Sequence, residues 1–139
     1  MGWRDSYDGK IILIIDDNQQ LLLALSARLK AHGYSLSCAT DAISAIAMAR
    51  KELSHLVILD LGLPAGDGFL VLERMKCLPD LVAIPVIVLS ARDRIGNKKR
   101  ALEAGAIAFF QKRADNHEFL TAIRHALGET IALSTFLQT

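Results

Sequence analysis

The 139-residue chain reads as an α/β domain: a doubly wound, five-stranded parallel sheet with five helices. Three observations predict this. Short apolar runs, rich in β-branched residues and Leu, recur five times along the chain. Between them lie stretches whose apolar residues fall at helical spacing. The connections are short and there is no internal repeat, so strand–helix alternation with right-handed crossovers covers both faces of one sheet.

Residues 1–9 (MGWRDSYDG) are polar and form an N-terminal extension, in which Trp3 and Tyr7 pack locally. Lys10 to Ile15 is the first strand, apolar enough for a central place in the sheet. Asp16, Asp17 and Asn18 close it and offer caps for a helix running to about His32, with a stripe of Leu22, Leu25 and Leu29. Gly33 stops that helix. Tyr34 to Ala39 is the second strand. Thr40 or Asp41 caps the next helix, whose expected stripe is Ile43, Ile46, Ala47 and Leu53.

Leu56 to Leu59 reads as a strand buried on both faces, ending at Asp60. Leu61 to Gly68 then turn the chain, with Pro64, Gly66 and Gly68 as breaks. A helix from about Asp67 to Cys77 buries Phe69, Leu72 and Met75. Pro79 and Asp80 interrupt. Ile84 to Leu89 is the fourth strand, ending at Ser90-Ala91. A helix from about Arg94 to Ala104 stops at Gly105, and Ala106 to Phe110 is the fifth strand, ending at Lys112. A last helix from about Asn116 to Leu127 buries Phe119, Leu120, Ile123 and Leu127. Residues 129–139 fall outside this pattern and either extend the last helix or begin a linker.

The totals narrow the function classes. A 52% hydrophobic, 22% charged chain of this length is a soluble globular domain with a core that needs no disulfide or metal staple. The net charge of +1 is uneven: seven basic residues between Arg92 and Arg113 stand against Asp93 and Glu103. That segment is short and lacks interleaved aromatics, so a solvated face or one preferring acidic protein partners fits better than a nucleic-acid site. Cys38 and Cys77 form no CxxC motif, and reduced thiols in the cytoplasm are the simplest account. The charge-free stretch Leu81 to Ala91 is too short to span a bilayer. Ile11 to Ile15 is followed by Asp16-Asp17 and not by a cleavage site, so no targeting segment is expected.

In open α/β sheets, ligand chemistry collects at the carboxyl ends of the strands. Here those ends carry Asp16 and Asp17, Asp60, Ser90 and Lys112. Singly, each has a plain reading as a cap, a turn residue or a solvated charge. Together their chemistry is complementary. Three carboxylates in one cleft hold a divalent cation, and hard oxygen ligands suit Mg²⁺. A lysine and a hydroxyl grip the oxygens of a phosphoryl group. One carboxylate is then the nucleophile, which gives an aspartyl phosphate. Asp60 is the candidate.

On these residues the chain resembles the receiver domain of two-component response regulators, a CheY-like, flavodoxin-like fold, over about residues 10–128. The matching motifs are Ile-Ile-Asp-Asp (14–17), Leu-Asp-Leu-Gly-Leu-Pro-Ala-Gly-Asp-Gly (59–68), Ile-Pro-Val-Ile-Val-Leu-Ser-Ala (84–91), and Glu-Ala-Gly-Ala (103–106) followed by Phe109 and Lys112. The resemblance implies that Asp60 accepts a phosphoryl group from a histidine kinase or a histidine phosphotransfer protein. Asp17 would bind Mg²⁺ directly, Asp16 mostly through water, and Asp60 and the backbone carbonyl of Gly62 would complete the protein ligands. Lys112 would contact the phosphoryl oxygens. Ser90 would move toward them, and the switch aromatic Phe109 would rotate inward. The surface of the fourth helix, fifth strand and fifth helix would carry the signal to a downstream protein target. The implied protein is a cytoplasmic switch and not an enzyme, with neither membrane nor direct nucleic-acid contact. Phe110 competes with Phe109; alternation lets only one face the pocket, and spacing to Lys112 picks Phe109.

Two departures from the family pattern bear on this. Arg113 stands where a proline, often cis, usually follows the lysine. A non-proline cis bond costs about 3–4 kcal/mol, so a trans bond and a shifted Lys112 loop are expected. Ile107 and Ala108 replace acidic residues before the switch aromatic, which favours association with a partner or a second copy. The alternative, which the Arg113 departure alone supports, is an interaction or dimerisation module that works without phosphorylation. A haloacid-dehalogenase-type enzyme would need a second Asp where Gly62 stands, and no Gly-x-Gly-x-x-Gly follows the first strand.

Overall fold

The computed structural model describes residues 10–63, 68–92, 94–112 and 116–129. Five strands, β1 (Ile11–Ile15), β2 (Ser35–Ala39), β3 (Leu56–Leu59), β4 (Val86–Ser90) and β5 (Ala108–Gln111), alternate with five helices. These are α1 (Gln19–Ala31), α2 (Ala42–Glu52), α3 (Gly68–Cys77), α4 (Arg94–Glu103) and α5 (Asn116–Ala126). All the strands are parallel in the order β2-β1-β3-β4-β5. The order reverses between β1 and β3, the point in a doubly wound sheet where a cleft opens beyond the strand ends. The expected fold class is the one observed.

Alternation in the strands sorts the core into two layers. Leu13, Ile15, Val57, Leu59, Val86 and Val88 pack under α2, α3 and α4. Ile12, Ile14, Leu56, Ile58, Ile87 and Leu89 face the other way, against α1 and α5. Because β1, β3 and β4 are buried on both sides, their sequences read as unbroken apolar runs. The α1 stripe of Leu22, Leu25 and Leu29 is buried as expected. Asn18 caps that helix, its side chain accepting the Gln20 and Leu21 N–H groups at 3.1 Å each.

The face of α2 differs from expectation. Ala42, Ala45 and Ala49 point inward, Ile46 is half-buried, and Ala47 is exposed. Ile43 is 77% exposed. The large side chains of β1, β3 and α3 already fill this layer, so α2 approaches through its smallest residues. Leu53 is not on the stripe either. It is the left-handed C-cap of α2 (φ 48°), its N–H bonded to Ala49 O at 2.9 Å. Asp41, not Thr40, caps the N-terminus, accepting the Ser44 N–H at 2.8 Å. That hydrogen bond holds the Asp41 carboxyl below its ordinary value.

Smaller shifts occur elsewhere. β4 runs two residues later than expected at its start, with Ile84 in the turn before it, and Ser90 is its last residue. β5 begins at Ala108, because Ala106 and Ile107 are lead-in residues bonded to Ala101 O and Val86 O. Helical geometry in α4 is broken at Ile95 and Gly96, the latter at φ 78°, so its regular turns start after the glycine. Leu120 is half-buried. Cys38 and Cys77 are free thiols. Among the described residues no helix is long and apolar enough to cross a membrane. The N-terminal extension, residues 130–139, the turn residues Pro64 and Gly66, and the Lys112–Arg113 bond lie outside the described residues.

Candidate functional site

The ladder itself sets three groups of the site. Asp16 follows β1, and its N–H donates to Ala39 O at 3.0 Å, so the carboxylate is held where the strand ends. Asp60 follows β3 and donates its N–H to Ile15 O at 2.9 Å, which fixes it beside Asp16. Lys112 follows β5 and donates its N–H to Ser90 O at 2.9 Å. Four strand ends are thereby brought to one cleft.

Asp16, Asp17 and Asp60 each offer a carboxylate oxygen, and these oxygens lie within 4.8 Å of one another. Asp16 and Asp60 are buried, whereas Asp17 is exposed. The Lys112 ammonium sits 2.8 Å from Asp16 Oδ2 and 3.6 Å from Asp60 Oδ2. Lys112 thus stands against both carboxylates. Asp16 Oδ1 also accepts the Asn18 N–H at 2.9 Å, which turns the chain into α1.

Burial pushes the Asp16 carboxyl above its ordinary value, with the Asp60 charge adding to the rise; the hydrogen bonds from Lys112 and Asn18 oppose it. Burial alone would lower Lys112. Its hydrogen bond to Asp16 and the charges of Asp60 and Asp16 outweigh that, and the ammonium is held above its ordinary value. Three carboxylates against one ammonium leave surplus negative charge at the mouth of the cleft. That is the donor set a hard divalent cation takes.

Ser90 is fully buried, and its Oγ accepts the Arg92 N–H at 3.1 Å. Gly62 is exposed, and a Cβ there would stand 3.9 Å from Asp60 Oδ2, in ordinary van der Waals contact. Phe109 and Phe110 are separated by the alternation of β5. Phe109 is buried in the layer under α4, whereas Phe110 packs edge-on against Phe119 of α5, ring centroids 5.7 Å apart.

Two supporting contacts escaped the sequence reading. Gly68 opens α3 so close to the Asp60 carbonyl that a Cβ would lie 2.3 Å from that oxygen. The signal was present, a glycine opening the helix after the Asp60 turn, but composition marks it only as a chain break. Arg100 of α4 lies over the Phe69 ring of α3, Cζ 3.7 Å from the centroid. Nothing local in the sequence pairs those two residues.

The family described as the response regulator receiver domain matches residues 12–124 of this chain. The chain belongs to that family. The receiver is 35% identical over 113 residues to the response regulator PleD of Caulobacter vibrioides, covering 81% of this chain and 25% of that protein. It is 37% identical over 128 residues to the transcriptional regulatory protein KdpE of Mycobacterium tuberculosis, covering 92% and 55% respectively. This receiver thus spans a quarter to about half the length of those curated relatives. Among solved structures, it is similar to a CheY-like receiver domain protein from Methanospirillum hungatei JF-1, with TM-score 0.78 and 28% identity over 86% of this chain and 94% of that one. The fold is also that of the receiver domain of sensor histidine kinase PA1611 from Pseudomonas aeruginosa PAO1, crystallised with a magnesium ion in its active-site cleft. That likeness has TM-score 0.78 and 23% identity, and covers 86% of this chain and 98% of that one.

Proposed function

We propose that this receiver is a phosphorylation switch of the cytoplasm, with Asp60 as the phosphoacceptor. The observation that carries this reading is Lys112, whose ammonium bridges Asp16 and Asp60 at 2.8 and 3.6 Å beside a third carboxylate. An Asp60 carboxylate oxygen attacks the phosphorus of the donor, a phosphohistidine on a histidine kinase or phosphotransfer protein. The new P–O bond forms as the P–N bond breaks, and the electron pair leaves on the imidazole. Lys112, kept charged by its carboxylate neighbours, neutralises a non-bridging phosphoryl oxygen. Mg²⁺ held by Asp16, Asp17, Asp60 and the Gly62 carbonyl would supply further charge neutralisation. The PA1611 receiver, of the same fold, is described with magnesium in its cleft, which supports that assignment.

Ser90 carries the signal onward. Its Oγ accepts Arg92, so its proton is available to a phosphoryl oxygen. Movement of Ser90 shifts the start of α4, where Gly96 already breaks the helix, and repacks Phe109 beneath it. The α4-β5-α5 surface then presents a different face to a downstream protein.

The test is intact mass after incubation with Mg²⁺ and acetyl phosphate, beside Asp60→Asn. The parent alone is expected to gain one phosphoryl group. No gain in either protein would leave the phosphorylation-independent interaction module as the better account.

A further inference from the structure

Helix α2 is apolar on two faces. Its residues 42–49, Ala-Ile-Ser-Ala-Ile-Ala-Met-Ala, carry no charge. Ala42, Ala45 and Ala49 meet the core, which leaves larger side chains outside. Ile43, Ile46, Ala47 and Arg50 stand at i, i+3, i+4 and i+7, and these four fall within about 100° of arc as a second stripe. Ile43, Ala47 and Arg50 are exposed, and Ile46 is half-buried. A surface helix ordinarily turns one apolar stripe to the core and charge to the water. A helix that is apolar all round is one covered on both sides.

The stripe is also electrically quiet. Arg50, the charge at its end, is paired with Asp80, Nε to Oδ2 3.1 Å. Exposed Val82 lies in the same turn as Asp80 and extends the apolar patch beyond the helix. Glu52 lies about 170° round the helix from the centre of the stripe. A charged partner therefore finds little to steer by, whereas a copy of the same surface meets no repulsion. The charges at the two ends of α2 set the orientation. Asp41 caps the N-terminus, and Arg50 and Lys51 occupy the last turn. Two α2 helices run antiparallel bring each basic end beside the other's Asp41, and each helix dipole beside its opposite pole.

We propose that the outer face of α2 is a self-association surface, on which a second copy of this chain packs its own α2 antiparallel about a two-fold axis. Ile46 and Ala47 flank the axis, and the small Ala47 side chain admits close approach of the two helices. Ile43 of each copy packs on the aliphatic stem of the other's Arg50. Lys51 comes abreast of the first turn of the other helix, next to its Asp41. A single helix of 11 residues is about 16 Å long and offers less than the about 800 Å² per partner of a stable interface. The dimer is accordingly a weak one, of micromolar affinity. The pairing does not rest on phosphorylation of Asp60.

The experiment is sedimentation equilibrium of the whole chain from about 1 µM to about 1 mM. A monomer–dimer equilibrium is expected, weakened about tenfold or more by Ile43→Glu. Orientation is read by oxidising single cysteines placed in a Cys38→Ser/Cys77→Ser background. Ala47→Cys should crosslink readily, because antiparallel pairing sets its two copies about 1.5 Å apart along the axis. The two copies of Ile43→Cys stand about 10 Å apart along it, beyond the reach of a disulfide. Leu23→Cys, exposed on α1, is the control for random collision. A chain that stays monomeric throughout would overturn the proposal and leave another segment of the chain, or another protein, as the cover of α2. A dimer indifferent to Ile43→Glu would place the contact elsewhere. Crosslinking of Ile43→Cys or Leu23→Cys as fast as Ala47→Cys would equally refute the antiparallel pairing.

Discussion

Gly68→Ala tests how firmly the fold holds the phosphoacceptor. The added Cβ would stand 2.3 Å from the Asp60 carbonyl oxygen and 2.6 Å from Leu61 Cα. Carbon–oxygen contacts ordinarily begin near about 3.3 Å, so the methyl group must retreat by about 1 Å. Both obstacles are backbone, and no rotamer can relieve them. The Gly68 N–H is also bonded to Leu61 O at 2.9 Å, which resists withdrawal of α3. Overpacking of this kind costs about 1–3 kcal/mol, and the upper half of that range is expected here.

Gly33→Ala is the matched control. Gly33 has φ +93° and nothing within 4 Å of an added Cβ, so its cost of about 1–2 kcal/mol is torsional and far from the site. Urea unfolding measures both variants, with an unchanged m-value required for the comparison. Phosphoryl gain from acetyl phosphate separates them. Displacing Asp60 by a fraction of an ångström to 1 Å should slow Gly68→Ala by about 10- to 100-fold, while Gly33→Ala keeps the parental rate. A Gly68→Ala protein within about 0.5 kcal/mol of the parent and phosphorylated at the parental rate would refute the reasoning.

Two further expectations concern packing and pH. Ala45→Leu should destabilise by about 1–3 kcal/mol because Ala45 is fully buried on the inner face of α2, whereas Ile43→Ala should change stability by less than about 0.5 kcal/mol; the opposite ranking in urea would restore the large-residue stripe. Burial and its hydrogen bond to Glu129 push the Tyr34 phenol up to about 12 from an ordinary 10.0. A raised folded value means this contribution is complete below pH 10.0 and is lost as the pH rises through about 12. Ultraviolet titration of the phenolates should show a late step that Tyr34→Phe removes, and a single ordinary step in the parent would sink the assignment.

Much of the site was written in the order of residues. Strand ends are legible because a double-faced parallel strand needs an unbroken apolar run, and a carboxylate, serine or lysine that ends such a run is conspicuous. Asp16, Asp60, Ser90 and Lys112 were found that way. The parallel ladder then did the assembling, since the Asp60 N–H bonded to Ile15 O and the Lys112 N–H bonded to Ser90 O place the ends together. Alternation allowed only one of Phe109 and Phe110 to face the pocket, and the family's spacing to Lys112 picked Phe109.

What tertiary structure decided were the questions whose answers lie on another element. Both possible stripes of α2 have helical period, and only the bulk already present in β1, β3 and α3 turned Ala42, Ala45 and Ala49 inward. The break at Ile95 and Gly96 interrupts a stretch that the sequence reads as one helix from Arg94. Gly68 reads locally as a turn residue, and its contact with the Asp60 carbonyl exists only once α3 is folded back over the end of β3. Hydrophobic periodicity and strand-end chemistry are local properties that a chain carries unfolded. Which of two compatible faces is buried, and how near one backbone lies to another, are set by the volume of distant neighbours.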